Sequence, residues 1–182
     1  IISQYGGPDG ELGASLRYLS QRYTMPVKSV GGLLTDIGTE ELAHMEIICA
    51  MVYQLTRNLT PEQAKAEGFD AYYIDHTTGL WPQAAAGLPF CATEFQSKGD
   101  AIADLTENLA SEQKARVVYE NLLRVLKEPD VREPLKFLRA REIVHFQRFG
   151  EALERTKERL DAKNFYYFNP EFDKNVPGQP RG

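Results

Sequence analysis

Two Glu-x-x-His pairs, Glu41-x-x-His44 and Glu142-x-x-His145, use two of the three histidines in this 182-residue chain, and each is preceded by a further glutamate at a matching distance. Glu11 stands 30 residues before Glu41 (41 − 11), and Glu112 stands 30 before Glu142 (142 − 112). Residues i and i+3 share one face of a helix, so each pair can turn both side chains toward the same point. A Glu followed by Glu-x-x-His, occurring twice, is how a four-helix bundle builds an inward pocket for two metal ions. The pattern predicts an all-α, ferritin-like four-helix bundle with a carboxylate-bridged dimetal site.

The alternative, that these are charged pairs on a solvated face, is tested by the residues around them. From Val30 the alternating steps of four and three give Leu34, Ile37, Glu41, His44, Ile48, Met51 and Leu55, the inward stripe of a bundle helix. The same stepping gives Leu135, Leu138, Glu142, His145, Phe149 and Ala152 in one segment. In another it gives Ile102, Leu105, Leu109, Glu112, Arg116, Tyr119, Leu123 and Leu126. The ligand types interrupt apolar seams. Burying several carboxylates with no cation costs several kcal/mol each, so the seams make physical sense as metal sites.

With 42% hydrophobic residues the chain can bury one sizeable core, and residues 1–182 read as a single domain. The net charge of −5 argues against nucleic acid or an anionic membrane as the main partner. No apolar run reaches the roughly 20 residues of a membrane span, and no signal-peptide pattern is present, so synthesis for the cytoplasm is the default. Cys49 and Cys91 make neither a disulfide framework nor a thiolate site and read as small core residues.

A first helix runs through Glu11, Ser15, Tyr18 and Arg22 and ends before Met25-Pro26. Ile1, Ile2 and Tyr5 precede it with no capping residue, which suggests that the chain begins inside its first helix with residues ahead of Ile1. A second helix covers about 29–57, and Thr60-Pro61-Glu62-Gln63 reads as a cap with proline at the first position of a short helix. Residues 68–99 break the periodicity but carry Tyr72, Tyr73, Trp81, Phe90 and Phe95, too aromatic for a flexible linker, and predict a long ordered crossover between helices 2 and 3. The third helix is expected from Asp100 to Glu128-Pro129 and the fourth over about 131–163, which closes the bundle. The tail 164–182 opens with Phe165-Tyr166-Tyr167-Phe168, expected to dock on the bundle or a neighbouring subunit. Three residues have bland readings: His76 as a loop histidine bonded to backbone rather than lining a channel, Arg116 as either the counter-charge of an inner carboxylate or a cap at a helix junction, and Tyr53 as packing or interface.

The segments Tyr5-Gly6-Gly7-Pro8-Asp9-Gly10-Glu11, Asp36-Ile37-Gly38-Thr39-Glu40-Glu41-Leu42-Ala43-His44 and Phe137-Leu138-Arg139-Ala140-Arg141-Glu142-Ile143-Val144-His145 resemble the manganese catalase family. The stretches Leu16-Arg17-Tyr18-Leu19-Ser20-Gln21-Arg22-Tyr23-Thr24 and Lys98-Gly99-Asp100 are most similar to its short branch, the CotJC type of bacterial spore coat protein. The resemblance implies two manganese ions per chain. Glu41 would bridge them, with Glu11 and His44 on one and Glu112 and His145 on the other. It implies catalytic roles for Glu142, in proton transfer, and for Tyr18, as an outer-sphere tyrosine near the first metal, the one held by Glu11 and His44, whereas spacing alone leaves Glu142 as a second bridging ligand. The implied activity is disproportionation of hydrogen peroxide to water and oxygen by a homo-oligomer, a hexamer in the family, placed in the spore coat with other coat proteins. Two departures stand out: Ser111 where active family members carry arginine, and the lack of a long C-terminal extension. The competing readings are a mainly structural coat protein with a nearly silent metal site, and a di-iron peroxidase or ferroxidase, since carboxylate and imidazole accept iron as well as manganese.

Overall fold

The computed structural model describes residues 1–160, so the end of the fourth helix beyond Leu160 and the docking of the aromatic tail lie outside the described residues. Four helices form the bundle: α2 (Glu11–Gln21), α3 (Lys28–Thr56), α6 (Ala101–Val125) and α7 (Pro129–Leu160). Three short helices accompany them: α1 (Ser3–Gly6), α4 (Pro61–Ala66) and α5 (Asp70–His76). No strand occurs among the described residues.

Each boundary has a local cause. Pro26 stops α2, which closes in a 3₁₀ turn over Arg22–Thr24. Thr60 and Gln63 form a reciprocal capping box ahead of α4 with Pro61 in its first turn. Asp100 caps α6 by accepting from the Ala103 amide at 2.8 Å. Asp104, fully buried one turn later, accepts from the amides of Lys98 (2.7 Å) and Gly99 (3.0 Å) and ties the end of the crossover to the bundle. At the other end of α6, the Arg132 guanidinium donates to the carbonyls of Leu123 and Leu126, two groups that the end of a helix leaves without partners.

The bundle repeats itself. Glu11 and Glu112, Tyr18 and Tyr119, Glu41 and Glu142, and His44 and His145 are each 101 residues apart, the separation also of the paired Glu40 and Arg141. Helices α3 and α7 begin at residues 28 and 129, with the same offset. The core follows it in detail. One apolar cluster holds Tyr18, Val30, Leu34, Ile37, Phe149, Ala152 and Leu153, and the other holds Tyr119, Val131, Leu135, Leu138, Ile48, Met51 and Val52. Adding or subtracting 101 carries each of these residues into the other set, while Ile102 and Leu105, which also belong to the first cluster, have Ile1 and Gln4 at the equivalent places. The Glu and His residues lie between these two clusters along α3 and α7, a polar layer closed above and below by apolar side chains.

The predicted stripe on α3 is buried from Val30 to Met51, but Leu55 is half exposed, and Val52 and Thr56 take the inward places instead. Steps of four and three average 3.5 residues, and a straight α-helix drifts off that repeat by about 20° per heptad. By the last turn the inward side has moved on by one residue. On α6, Arg116 is half-buried and bonds Gln113 and Glu120 of its own helix, not an inner carboxylate or a helix junction, because its long stem lets the guanidinium lie along the surface.

The crossover is ordered as expected. The Tyr72 hydroxyl donates to the Gly79 carbonyl (2.6 Å) and accepts from the Trp81 amide (2.7 Å). His76 belongs to the last turn of α5 rather than to a loop and stacks on Trp81 with 5.1 Å between ring centres. Cys91 is exposed, not a core residue, because the crossover passes over the surface at that point, while Cys49 on α3 is buried. The crossover also meets α1: the Ala85 amide donates to the Ser3 hydroxyl at 2.8 Å. A Cβ at Gly6 would lie 2.2 Å from the backbone of Pro82 and Gln83. Gly6→Ala is therefore expected to destabilise the fold by about 1–3 kcal/mol through forced overpacking. It should also speed amide exchange at Trp81 and Phe90, and unchanged exchange there would show that α1 does not hold the crossover.

Candidate metal centre

Four helices bring Glu11 (α2), Glu41 and His44 (α3), Glu112 (α6) and Glu142 and His145 (α7) into one cluster, in which no residue is more than 2% exposed. Glu41 lies at its centre. One of its carboxylate oxygens is 2.7 Å from Nδ1 of His44 and the other 2.7 Å from Nδ1 of His145. The two imidazoles stack with 5.5 Å between ring centres. Glu11 is 3.9 Å from Nδ1 of His44, and Glu112 is 3.5 Å from Nδ1 of His145, so each histidine has one outer carboxylate and shares the central one. Glu41, His44, Glu142 and His145 each offer a ligand atom within 4.8 Å of all the others.

The donors fit a metal pair better than they fit one another. Glu41 Oε1, Glu112 Oε2, Glu142 Oε1 and Nδ1 of His145 are buried with no aligned hydrogen-bond partner, despite the short Glu41–His145 approach. Buried polar atoms are nearly always paired, and these converge on common points instead. Four inner carboxylates also match the charge of two divalent cations, and oxygen with imidazole donors suits manganese or iron.

Around this cluster lies a second layer that sequence reasoning only partly found. The Tyr18 hydroxyl donates to Glu112 at 2.5 Å, not beside Glu11 and His44 as the resemblance implied, because α2 turns that residue toward α6, and the Tyr119 hydroxyl donates to Glu11. Ser111, next to Glu112 in the chain, is buried as well. Glu40 is absent from the sequence-based reading. Its two oxygens lie 3.5 Å from Nε2 of His44 and 3.2 Å from Nε2 of His145, while Arg141 grips the same carboxylate through Nε (2.5 Å) and a terminal nitrogen (3.2 Å). A histidine that ligates metal through one ring nitrogen is oriented by the group that bonds the other, and here one carboxylate faces both rings. The signal is present in the sequence: Glu40 stands four residues before His44, and Arg141 four before His145. His76 lies outside the cluster, packed against Tyr72 and Trp81.

This geometry can be set beside known proteins. The sequence profile described as "Manganese containing catalase" matches residues 1–165. The chain belongs to the manganese catalase family. Protein CotJC of Bacillus subtilis (strain 168) is 54% identical over 166 residues, which span 91% of this chain and 87% of that protein. A probable manganese catalase of Clostridium acetobutylicum is 36% identical over 181 residues, 97% of this chain and 80% of that one. The crystal structure of KatB, a manganese catalase from Anabaena PCC7120, superposes with a TM-score of 0.79 at 28% identity over 98% of this chain and 75% of its own. The ferritin-like helical bundle and the buried Glu/His cluster suited to a dinuclear metal site are thus features of a manganese catalase fold. No helix among the described residues is long and apolar enough to cross a membrane.

Without cations, a manganese catalase site of this kind is electrostatically costly. Burial, reinforced by the charge of Glu41, pushes the Glu11 carboxyl well above its ordinary range. Glu142 is pushed well up by burial and by the charges of Glu11, Glu112 and Glu41, and Glu41 rises through burial and the charge of Glu112. Burial works against the charged form of His145, but the adjacent Glu112 and Glu41 carboxylates prevail and raise it to about 11. His44, with burial dominant, is lowered. For Glu40, Arg141 and His145 overcome burial and hold the carboxyl at about 2. Raised groups retain protons that the unfolded chain releases, so their stability contribution is present below about pH 4.5 and is lost as pH rises through the folded values. His145 adds the same sign above 6.5, and His44 opposes it just below 6.5. Chelator-treated protein is therefore expected to lose denaturant midpoint as pH rises from about 5 to 8, and metal-loaded protein to lose far less, because ligands must shed protons to bind metal. A flat profile in chelator would show that the buried acids are compensated by something other than metal.

Proposed function

We propose that this protein is a dimanganese catalase that disproportionates hydrogen peroxide to water and oxygen. The observation that carries the reading is the Glu41 carboxylate set between Nδ1 of His44 and Nδ1 of His145, 2.7 Å from each. That arrangement supports Glu41 as the bridge, with Glu11 and His44 on one ion and Glu112 and His145 on the other. Membership of the manganese catalase family supports manganese over iron. When bound, such a pair supplies two-electron cycling between two 2+ and two 3+ ions, reducing one peroxide to two waters and oxidising a second to oxygen.

The protein's share is the handling of protons and geometry. Oxidation of one peroxide releases two protons, and reduction of the other consumes two, so a nearby group must accept and return them. Glu142 suits this role because it is 2% exposed, its Oε1 has no hydrogen-bond partner, and it lies within the Glu41, His44 and His145 cluster. Tyr18 keeps Glu112 oriented by donating to Oε1. Glu40, anchored by Arg141, places its carboxylate 3.5 Å and 3.2 Å from the Nε2 atoms of His44 and His145, where it favours Nδ1 turned inward. The apolar layers on either side keep bulk water from the cluster.

The CotJC-like stretches at residues 16–24 and 98–100, with 54% identity to Protein CotJC, support a place for this catalase in the spore coat as a homo-oligomer beside other coat proteins. The decisive measurement is oxygen release from peroxide by protein expressed with manganese, with metal content taken on the same sample. The expected result is about two manganese ions per chain and sustained oxygen evolution. Two ions without oxygen would leave a metallated coat scaffold instead. Glu41→Ala is expected to lose metal. Glu142→Gln is expected to keep both ions and slow turnover by about 10²- to 10⁴-fold, and an unchanged rate would remove Glu142 from proton transfer.

A further inference from the structure

The two tyrosines of the second layer are crossed. Tyr18 follows Glu11 by seven residues on α2, yet its hydroxyl donates to Glu112 on α6, and Tyr119 follows Glu112 by seven on α6, yet donates to Glu11 on α2. Both rings are fully buried, one in each apolar cluster, and the 101-residue offset interchanges them. Neither hydroxyl bonds the carboxylate of its own helix. Each half of the bundle therefore positions the outer carboxylate of the opposite half.

We propose that Tyr119 is the positioning residue of the half-site formed by Glu11 and His44, as Tyr18 is of the half-site formed by Glu112 and His145. The inference rests on the dimetal reading. A carboxylate ligand that accepts a hydrogen bond on one oxygen has its rotation fixed, which leaves the other oxygen aimed at the ion, and losing such a partner typically costs about 10- to 100-fold in metal affinity. Because each hydroxyl touches one outer carboxylate only, removing it acts on one ion only. A residue that merely filled the core would weaken both half-sites together.

The chain's three histidines make this measurable without turnover, because His44 and His145 report the two half-sites and His76 is an internal reference. Imidazole ¹⁵N spectra are recorded during titration with zinc as a diamagnetic probe. In the wild-type protein His44 and His145 are expected to respond together. In Tyr119→Phe, His44 is expected to need about tenfold more zinc or higher while His145 keeps its wild-type response, and in Tyr18→Phe the order reverses. If both histidines of Tyr119→Phe respond as in wild type, the proposal is overturned and the dimetal reading stands. If neither histidine of the wild type responds to zinc, the dimetal reading itself falls. A second measurement needs no variant: in ¹³Cζ-tyrosine-labelled wild-type protein, zinc should shift the signals of both Tyr18 and Tyr119, and a stationary Tyr119 signal would overturn the proposal.

Discussion

Everything in this bundle is arranged around the burial of the Glu41 carboxylate between two imidazoles. An isolated carboxylate in a protein interior would take up a proton or force the chain open. Here it has three more carboxylates for company, which worsens the problem until cations enter. The apolar clusters above and below are what make the cost acceptable, since they supply the folding energy that a polar middle layer cannot. They also exclude water, which strengthens every charge interaction within the layer. Stability and site chemistry are thus in tension, which a metal pair held by this cluster would relieve.

The 101-residue offset explains how so demanding a layer can be specified. A helix pair carrying one outer glutamate, one Glu-x-x-His and one tyrosine cannot satisfy its own groups, because the tyrosine reaches only the glutamate of another pair. Two copies complete each other. Departures from the repeat then acquire meaning. Glu40 and Arg141 occupy equivalent places but carry opposite charge, and they pair across α3 and α7 where both imidazole Nε2 atoms can face the same carboxylate. Had both positions been acidic, the layer would have gained another uncompensated charge. With one basic residue, the charges of the two positions cancel.

Much of this is legible in the sequence, and the reasons are physical. The inward stripe of a bundle helix has a strong period, so Glu41, His44, Glu142 and His145 betray themselves as polar residues at apolar places. Helix ends are legible where proline, Thr60 or Asp100 imposes them. Three features are less so. Periodicity misplaces Leu55 because the drift between 3.5 and 3.6 residues per turn accumulates over a long helix such as α3. Composition misplaces Cys91 because an aromatic, ordered crossover has no period from which to tell inside from outside. The crossed tyrosines and the Glu40 clamp depend on which helix faces which, and periodicity within one helix carries no information about that. Spacing of 30 within each half is plain, but the offset of 101 between halves becomes persuasive only when both apolar clusters are seen to obey it.

The repeat also sets a limit on what symmetry can provide. Glu41 and Glu142 are equivalent under the offset, yet their surroundings differ. The structure separates them by contact rather than by position. Glu41 has each of its oxygens 2.7 Å from an imidazole Nδ1, while Glu142 is pushed well up by burial and three neighbouring carboxylates. Once one of the pair lies between both histidines, the other cannot, since each Nδ1 has room for one such neighbour. A nearly symmetric frame thus yields two different carboxylates because two imidazoles can be shared only once.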